Sequence, residues 1–211
     1  TEKEFYDSLD DKEKLKSNYS ALYSLYTING LEVLRILNYE HFINILYSTK
    51  SIQEAKRYFD ISGIGYLITI NKIEDKDFKR IESINVGDTK VYLYEYLSQP
   101  GRFLFYRQAS YADNDKTIME KLQDKGIDLR EEMILFSEDS NNKKGILHET
   151  KSNKKEKDNI KLVSYKPNKI ILDYKTPDDC FLYVSDSYYP GWRAYVDGKE
   201  TKIYRANLAF R

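Results

Sequence analysis

The spacing of apolar and polar positions divides the chain into a helix-bearing front and a strand-only end. Ser51-Ile52-Gln53-Glu54 forms a capping box, in which hydroxyl and carboxylate each satisfy an orphan backbone N–H, so a helix starts near Ile52. Ala55, Tyr58 and Phe59 continue its apolar face, and Gly63 falls where a left-handed end is expected. Upstream, Tyr39 to Tyr47 predicts a helix capped by Asn38, with Phe42, Ile45 and Leu46 on one side. Downstream, Ile64 to Ile70 is short, β-rich and bounded by turn signals, which predicts a buried strand. Ile81–Val86 and Lys90–Tyr96 flank Gly87-Asp88 as a hairpin. Phe103–Tyr106 and Met133–Ser137 predict strands around a helix that Asn114 caps, that Gly126 ends and that turns Ile118, Met119 and Leu122 inward. Residues 1–17 are mostly charged and read as a marginal helix or frayed tail, and Asn29-Gly30 as a turn.

Residues 138–159 interrupt this pattern with polar runs that bury too little apolar surface to offset ordering entropy, so a flexible connection is expected there. Beyond it every periodic segment is a strand: Ile160–Tyr165, Lys169–Tyr174, Phe181–Asp186, Trp192–Val196 and Thr201–Tyr204, with turns at Pro167-Asn168 and Pro177-Asp178-Asp179. Leu182 and Val184 point to one side and Phe181 and Tyr183 to the other, so that strand has two apolar faces and needs a covering layer. The expected fold is therefore α+β. A mixed helix and strand portion spans 1–137, a polar linker 138–159, and an antiparallel, β-sandwich-like portion 160–211 that stops in mid-strand.

Two turns crowd into residues 185–205. Tyr188-Tyr189-Pro190-Gly191-Trp192 makes the first corner, where proline fixes its own φ and glycine is free to take a positive one. Asp197-Gly198 makes the second, as the dipeptide suited to a two-residue type I′ loop. Trp192 shares a predicted strand face with Ala194 and Val196, which predicts a mostly buried anchor. Tyr188 and Tyr189, with Asp186 and Arg193 near them, have two readings. The rings either stack on sugar C–H surface while the polar groups fix hydroxyls, or they cover the edge of the sheet.

Composition removes several function classes. The 34 basic residues balance 34 acidic ones, so no net field draws nucleic acid or an anionic membrane surface to the chain as a whole. Ile61–Ile70, the longest mostly apolar run, is far short of the ~20 residues needed to span a bilayer, so this chain is not expected to insert. Cys180 is the sole cysteine, which rules out an internal disulfide or a cysteine-based zinc site and reads as an inert thiol in a strand. His41 and His148 show no metal-ligand spacing, and turn chemistry accounts for the pair Asp178-Asp179. No P-loop, dinucleotide fingerprint or serine-nucleophile elbow occurs, and neither catalytic residues nor a cofactor or metal is expected. The 20 tyrosines fit either sugar-stacking surfaces or a bias in which Lys, Asn, Ile and Tyr rise together.

The order Ser185-Asp186, Tyr188-Tyr189-Pro190-Gly191-Trp192, Ala194, Val196-Asp197-Gly198-Lys199, followed by Tyr204-Arg205-Ala206-Asn207, resembles the C-terminal signature of the YfhO family. Those are polytopic bacterial membrane proteins similar to glycosyltransferases that use lipid-linked sugars. Gln99-Pro100-Gly101-Arg102 stands where that family has Leu-Pro-Arg, and Gly65 where it has Lys. The resemblance implies membrane helices upstream, a catalytic carboxylate among them, and a further hairpin strand downstream. It also implies an extracytoplasmic domain that supports its own transmembrane portion or binds an acceptor glycan or cell-wall polymer. The alternative is a stand-alone carbohydrate-binding or cell-surface interaction module.

Overall fold

The computed structural model describes residues 36–137 and 158–211. The expected frayed tail, the Asn29-Gly30 turn, His148 and all but the end of the polar linker lie outside the described residues. The fold is α+β: helices precede residue 124, no helix follows Asn159 among the described residues, and the strands form small, mostly antiparallel sheets. Contacts divide the chain into two compact units, 1–101 and 102–211. That division lies well before the composition break, because a strand at Phe103–Tyr106 pairs with one at Phe181–Val184 and so ties residues of the expected front portion to the strand-only end.

In the first unit, α1 (Leu37–Tyr47) buries Phe42, Ile45 and Leu46. It starts one residue before the expected cap, and Ile36, at the N-cap, makes no side-chain cap bond. α2 (Ile52–Ser62) behaves as its sequence predicts: the Ser51 hydroxyl accepts from the Glu54 N–H, and Gly63 ends the helix at φ 67°. The reciprocal bond of the capping box shifts by one residue, since Glu54 accepts from the Lys50 N–H at 3.0 Å. Strands β1 (Tyr66–Thr69), β2 (Phe78–Val86) and β3 (Thr89–Tyr96) form an antiparallel sheet in the order β1-β3-β2, with a bulge at Ile81. One face packs on α2: Phe59 meets Phe78 and Tyr96 edge-on, Phe78 stacks on Tyr96, and the Tyr96 hydroxyl donates to buried Asp60 at 2.8 Å. β1 is an edge strand rather than a buried one, because only its β3 side is paired and its Tyr66 and Ile68 turn away from the helix-covered face.

In the second unit, β4 (Phe103–Tyr106) pairs antiparallel with β9 (Phe181–Val184), and β5 (Gln108–Ala112) pairs in parallel with β6 (Glu132–Phe136). The parallel pair needs a crossover, which α3 (Asp115–Gln123) provides; Asn114 caps it by accepting from the Thr117 N–H, and Ile118 and Leu122 are fully buried. β7 (Asn159–Lys166) and β8 (Lys169–Lys175) form a ribbon across the Pro167-Asn168 turn. β10 (Ala194–Val196) and β11 (Lys199–Thr201) form a second ribbon, where Asp197 at φ 49° and Gly198 at φ 78° give the type I′ loop its two positive φ values. Tyr183 and Phe210 are buried together, and Asn207 joins them to β6 by exchanging bonds with Ile134: its N–H donates to the Ile134 carbonyl, and its side-chain oxygen accepts the Ile134 N–H.

Candidate functional site

The corner at residues 186–193 is held by an aspartate with two arginines. Asp186 lies two residues past the end of β9, and Arg102 directly precedes β4, so the β4–β9 pairing brings the two side chains to the same end of the sheet. Arg102 Nη2 donates to Asp186 Oδ1, and it also donates to the Tyr165 hydroxyl at 2.9 Å. Tyr165, near the end of β7, donates in turn to Asp186 Oδ2 at 3.1 Å. Arg211 reaches the same oxygen at 2.9 Å through Nη2 and the Ser187 carbonyl through Nη1, also at 2.9 Å. Both carboxylate oxygens of Asp186 are thereby engaged, and its side chain is only 13% exposed. Asp186 therefore positions the corner instead of presenting an unoccupied carboxylate.

The two arginines differ in environment. Arg211 is 9% exposed at its side chain and Arg102 31%. Burial pulls the Arg211 pKa down against the opposing pull of Asp186. Burial also opposes the charge on Arg102, but Asp186 and Tyr165 outweigh it and its pKa is raised. Burial likewise pushes the Tyr165 hydroxyl up. Each guanidinium also covers an aromatic face: Arg102 lies 4.7 Å from the centre of the Tyr165 ring and Arg211 4.3 Å from the Trp192 ring.

Trp192 is mostly buried, as expected, with the Arg211 guanidinium over its ring, but it stands outside the buried core and outside β10, which begins only at Ala194. Without a strand to align them, Trp192, Ala194 and Val196 do not form one buried face, and Val196 is 39% exposed. Tyr188 is half-buried, and its N–H donates to the Ala209 carbonyl. Tyr189 is 61% exposed, and Pro190, Gly191 (φ 106°) and Arg193 are exposed with it. Of the four residues expected at a glycan site, Tyr189 and Arg193 face solvent, Tyr188 lies partly under cover and Asp186 serves the network beneath. The structure adds Arg102, Tyr165 and Arg211. Nothing in local spacing links these to Asp186, since the contacts run between residues far apart in sequence.

A second arginine cluster lies at the base of the β7–β8 ribbon. Arg107 grips Asp158 with two bonds, at 2.9 and 2.7 Å, and also reaches Thr176 Oγ1 at 3.3 Å; Asp178 lies 3.6 Å from its Nε. Hydrogen bonds from Arg107 hold the Asp158 carboxyl below the usual range, against the effect of burial. Burial pushes the neighbouring Cys180 thiol up, away from the thiolate form. Among the described residues no group of three or more His, Cys, Asp or Glu side chains is placed to hold a metal ion, and no helix is long and apolar enough to cross a membrane. No family model, curated protein or solved structure matches this chain.

Proposed function

We propose that this chain is a non-catalytic, extracytoplasmic domain of a YfhO-like membrane protein, one that transfers sugars from lipid carriers to cell-envelope polymers, and that its 186–193 corner contacts the acceptor glycan. The family reading rests on the ordered pattern from Ser185 to Lys199. The observation that carries the glycan reading is Tyr189, an exposed ring on a turn that also exposes Arg193 and that Arg102 and Arg211 brace through Asp186. A braced turn that presents an aromatic face and a planar donor suits a sugar: the ring takes the C–H surface and the guanidinium takes hydroxyls, while the backbone that carries them is already ordered. One such patch supports only weak affinity, on the order of millimolar or ~−4 kcal/mol.

Titration of the 211-residue chain with cell-wall and teichoic-acid fragments, followed by amide shifts, tests the contact. Shifts confined to residues 188–193 that disappear in Tyr189→Ala support it. An unperturbed corner at millimolar ligand overturns it. The family reading is tested separately by the gene: a series of hydrophobic spans encoded upstream of Thr1 supports it, and a signal peptide joined directly to this domain overturns it.

A further inference from the structure

The β7–β8 ribbon has two unlike faces. Its inner side is fastened to the rest of the second unit: Tyr174 packs 5.7 Å from the Phe105 ring, Tyr165 joins the Arg102–Asp186 network, and Arg107 clamps the base through Asp158 and Thr176. The register places Lys161 opposite Asp173 and Lys166 opposite Lys169, and the two-residue alternation of strands puts Lys175 and Ile171 on that same outer side. Lys161, Lys166, Lys169 and Lys175 are all exposed there, with Asp173 as the one carboxylate among them. In a chain of zero net charge this is a marked local excess of positive charge.

Aliphatic side chains stand among these lysines. The bulge between Leu162 and Ser164 leaves Val163 unpaired and 56% exposed, and Ile171 is 39% exposed. We infer that the outer face of this ribbon docks on an anionic phospholipid surface, the lysines on headgroup phosphates and the aliphatic side chains at the boundary with the acyl chains. Charge complementarity selects an anionic partner, and two further features favour lipid over nucleic acid. Residues 159–175 contain no arginine, the side chain best shaped for paired phosphate and base contacts. Exposed Val and Ile gain nothing from a sugar-phosphate backbone, whereas a bilayer interface accepts aliphatic groups and lysine ammonium groups at adjacent depths.

The test is co-sedimentation of the full 211-residue chain, at low ionic strength, with vesicles of phosphatidylcholine and phosphatidylglycerol in equal parts. Each basic residue near such a surface contributes about five-fold in partitioning, so K161S/K166S/K169S is expected to lose on the order of a hundred-fold. K161R/K166R/K169R should bind like the parent chain. Asp173→Asn should gain about five-fold on the anionic vesicles and nothing on neutral ones, a selectivity that exposure of apolar surface by misfolding would not show. Added salt should weaken binding, and pure phosphatidylcholine vesicles should not retain the chain. Failure to sediment, equal binding to neutral vesicles, or an unchanged Asp173→Asn overturns the proposal, as does binding to duplex DNA of equal strength and the same lysine dependence. The glycan reading is untouched by any of these outcomes.

Discussion

The three-stranded sheet of the first unit is covered on one face by α2, through Phe59, Phe78 and Tyr96, with a buried bond between Tyr96 and Asp60. The paired strands of the second unit bury Tyr106, Tyr183 and Phe210 but are joined at their margins by arginines: Arg102 and Arg211 on Asp186, Arg107 on Asp158, and Arg205 on Asp115 at 2.6 Å. A helix covers a sheet with periodic apolar surface. Two-stranded ribbons have little such surface to share, and long, forked side chains span the gaps between them.

The difference is sharpened most by removing a ring from the first unit. Tyr96→Ala is expected to cost ~3–5 kcal/mol, because a fully buried aromatic is lost and Asp60 loses a donor. Urea unfolding measures the loss, and amide exchange should localise it to residues 36–101; unchanged exchange there would mean that the aromatic layer is not what holds that unit. Next in size is Asp186→Ala, expected to cost about 2–3 kcal/mol. That is below the value for a fully buried pair because Arg102 remains partly solvated. Its accelerated exchange should centre on the β4–β9 pair. A loss below ~0.5 kcal/mol would show that packing, not the arginine network, joins those strands.

Helix caps provide a control common to both units. Ser51→Ala and Asn114→Ala each remove one side-chain acceptor at a helix start and should each cost ~1 kcal/mol in thermal unfolding. A marked inequality between them would mean that one helix is held by packing alone. Acid should give the smallest effect per group. Hydrogen bonds from Lys56 hold the carboxyls of Asp75 and Asp77 below their usual range, and those from Arg107 do the same for Asp158. Carboxyls depressed in the folded state stabilise it fully above the ordinary value of about 3.9, and the gain is lost as pH falls through the depressed values. Unfolding midpoints should therefore be flat from neutrality down to about pH 5 and fall below pH 4. Lys56→Met and Arg107→Met should each reduce that acid slope, and an unchanged slope would remove these pairs from the account.

The same contrast explains what could be read from the chain. The faces of α2 and α3, both of their caps and the Asp197-Gly198 loop rest on residues within four positions of one another, and the sequence announces them. β5 did not announce itself, since Gln108, Ala109 and Ser110 have little strand preference and pair only because β6 lies alongside. The position of Trp192 outside the core and the edge position of β1 depend on which strands stop short and which side goes unpaired, and neither has a local signal. For the candidate site, the turn residues were legible and their bracing was not. Arg102 and Asp186 are 84 residues apart, a pairing that exists only after β4 has met β9.

The pairing of β4 with β9 has a consequence for the integrity of the polypeptide. β4, β5, α3 and β6 all precede residue 138, and β7 to β11 all follow residue 157. Besides the covalent link through residues 138–157, the two sets are held together by the β4–β9 ladder, the Asn207–Ile134 bonds, and Arg205 on Asp115. A chain cut once between Ser137 and Asp158 should therefore remain a single particle on gel filtration, and its halves, expressed separately, should find each other as a split protein does.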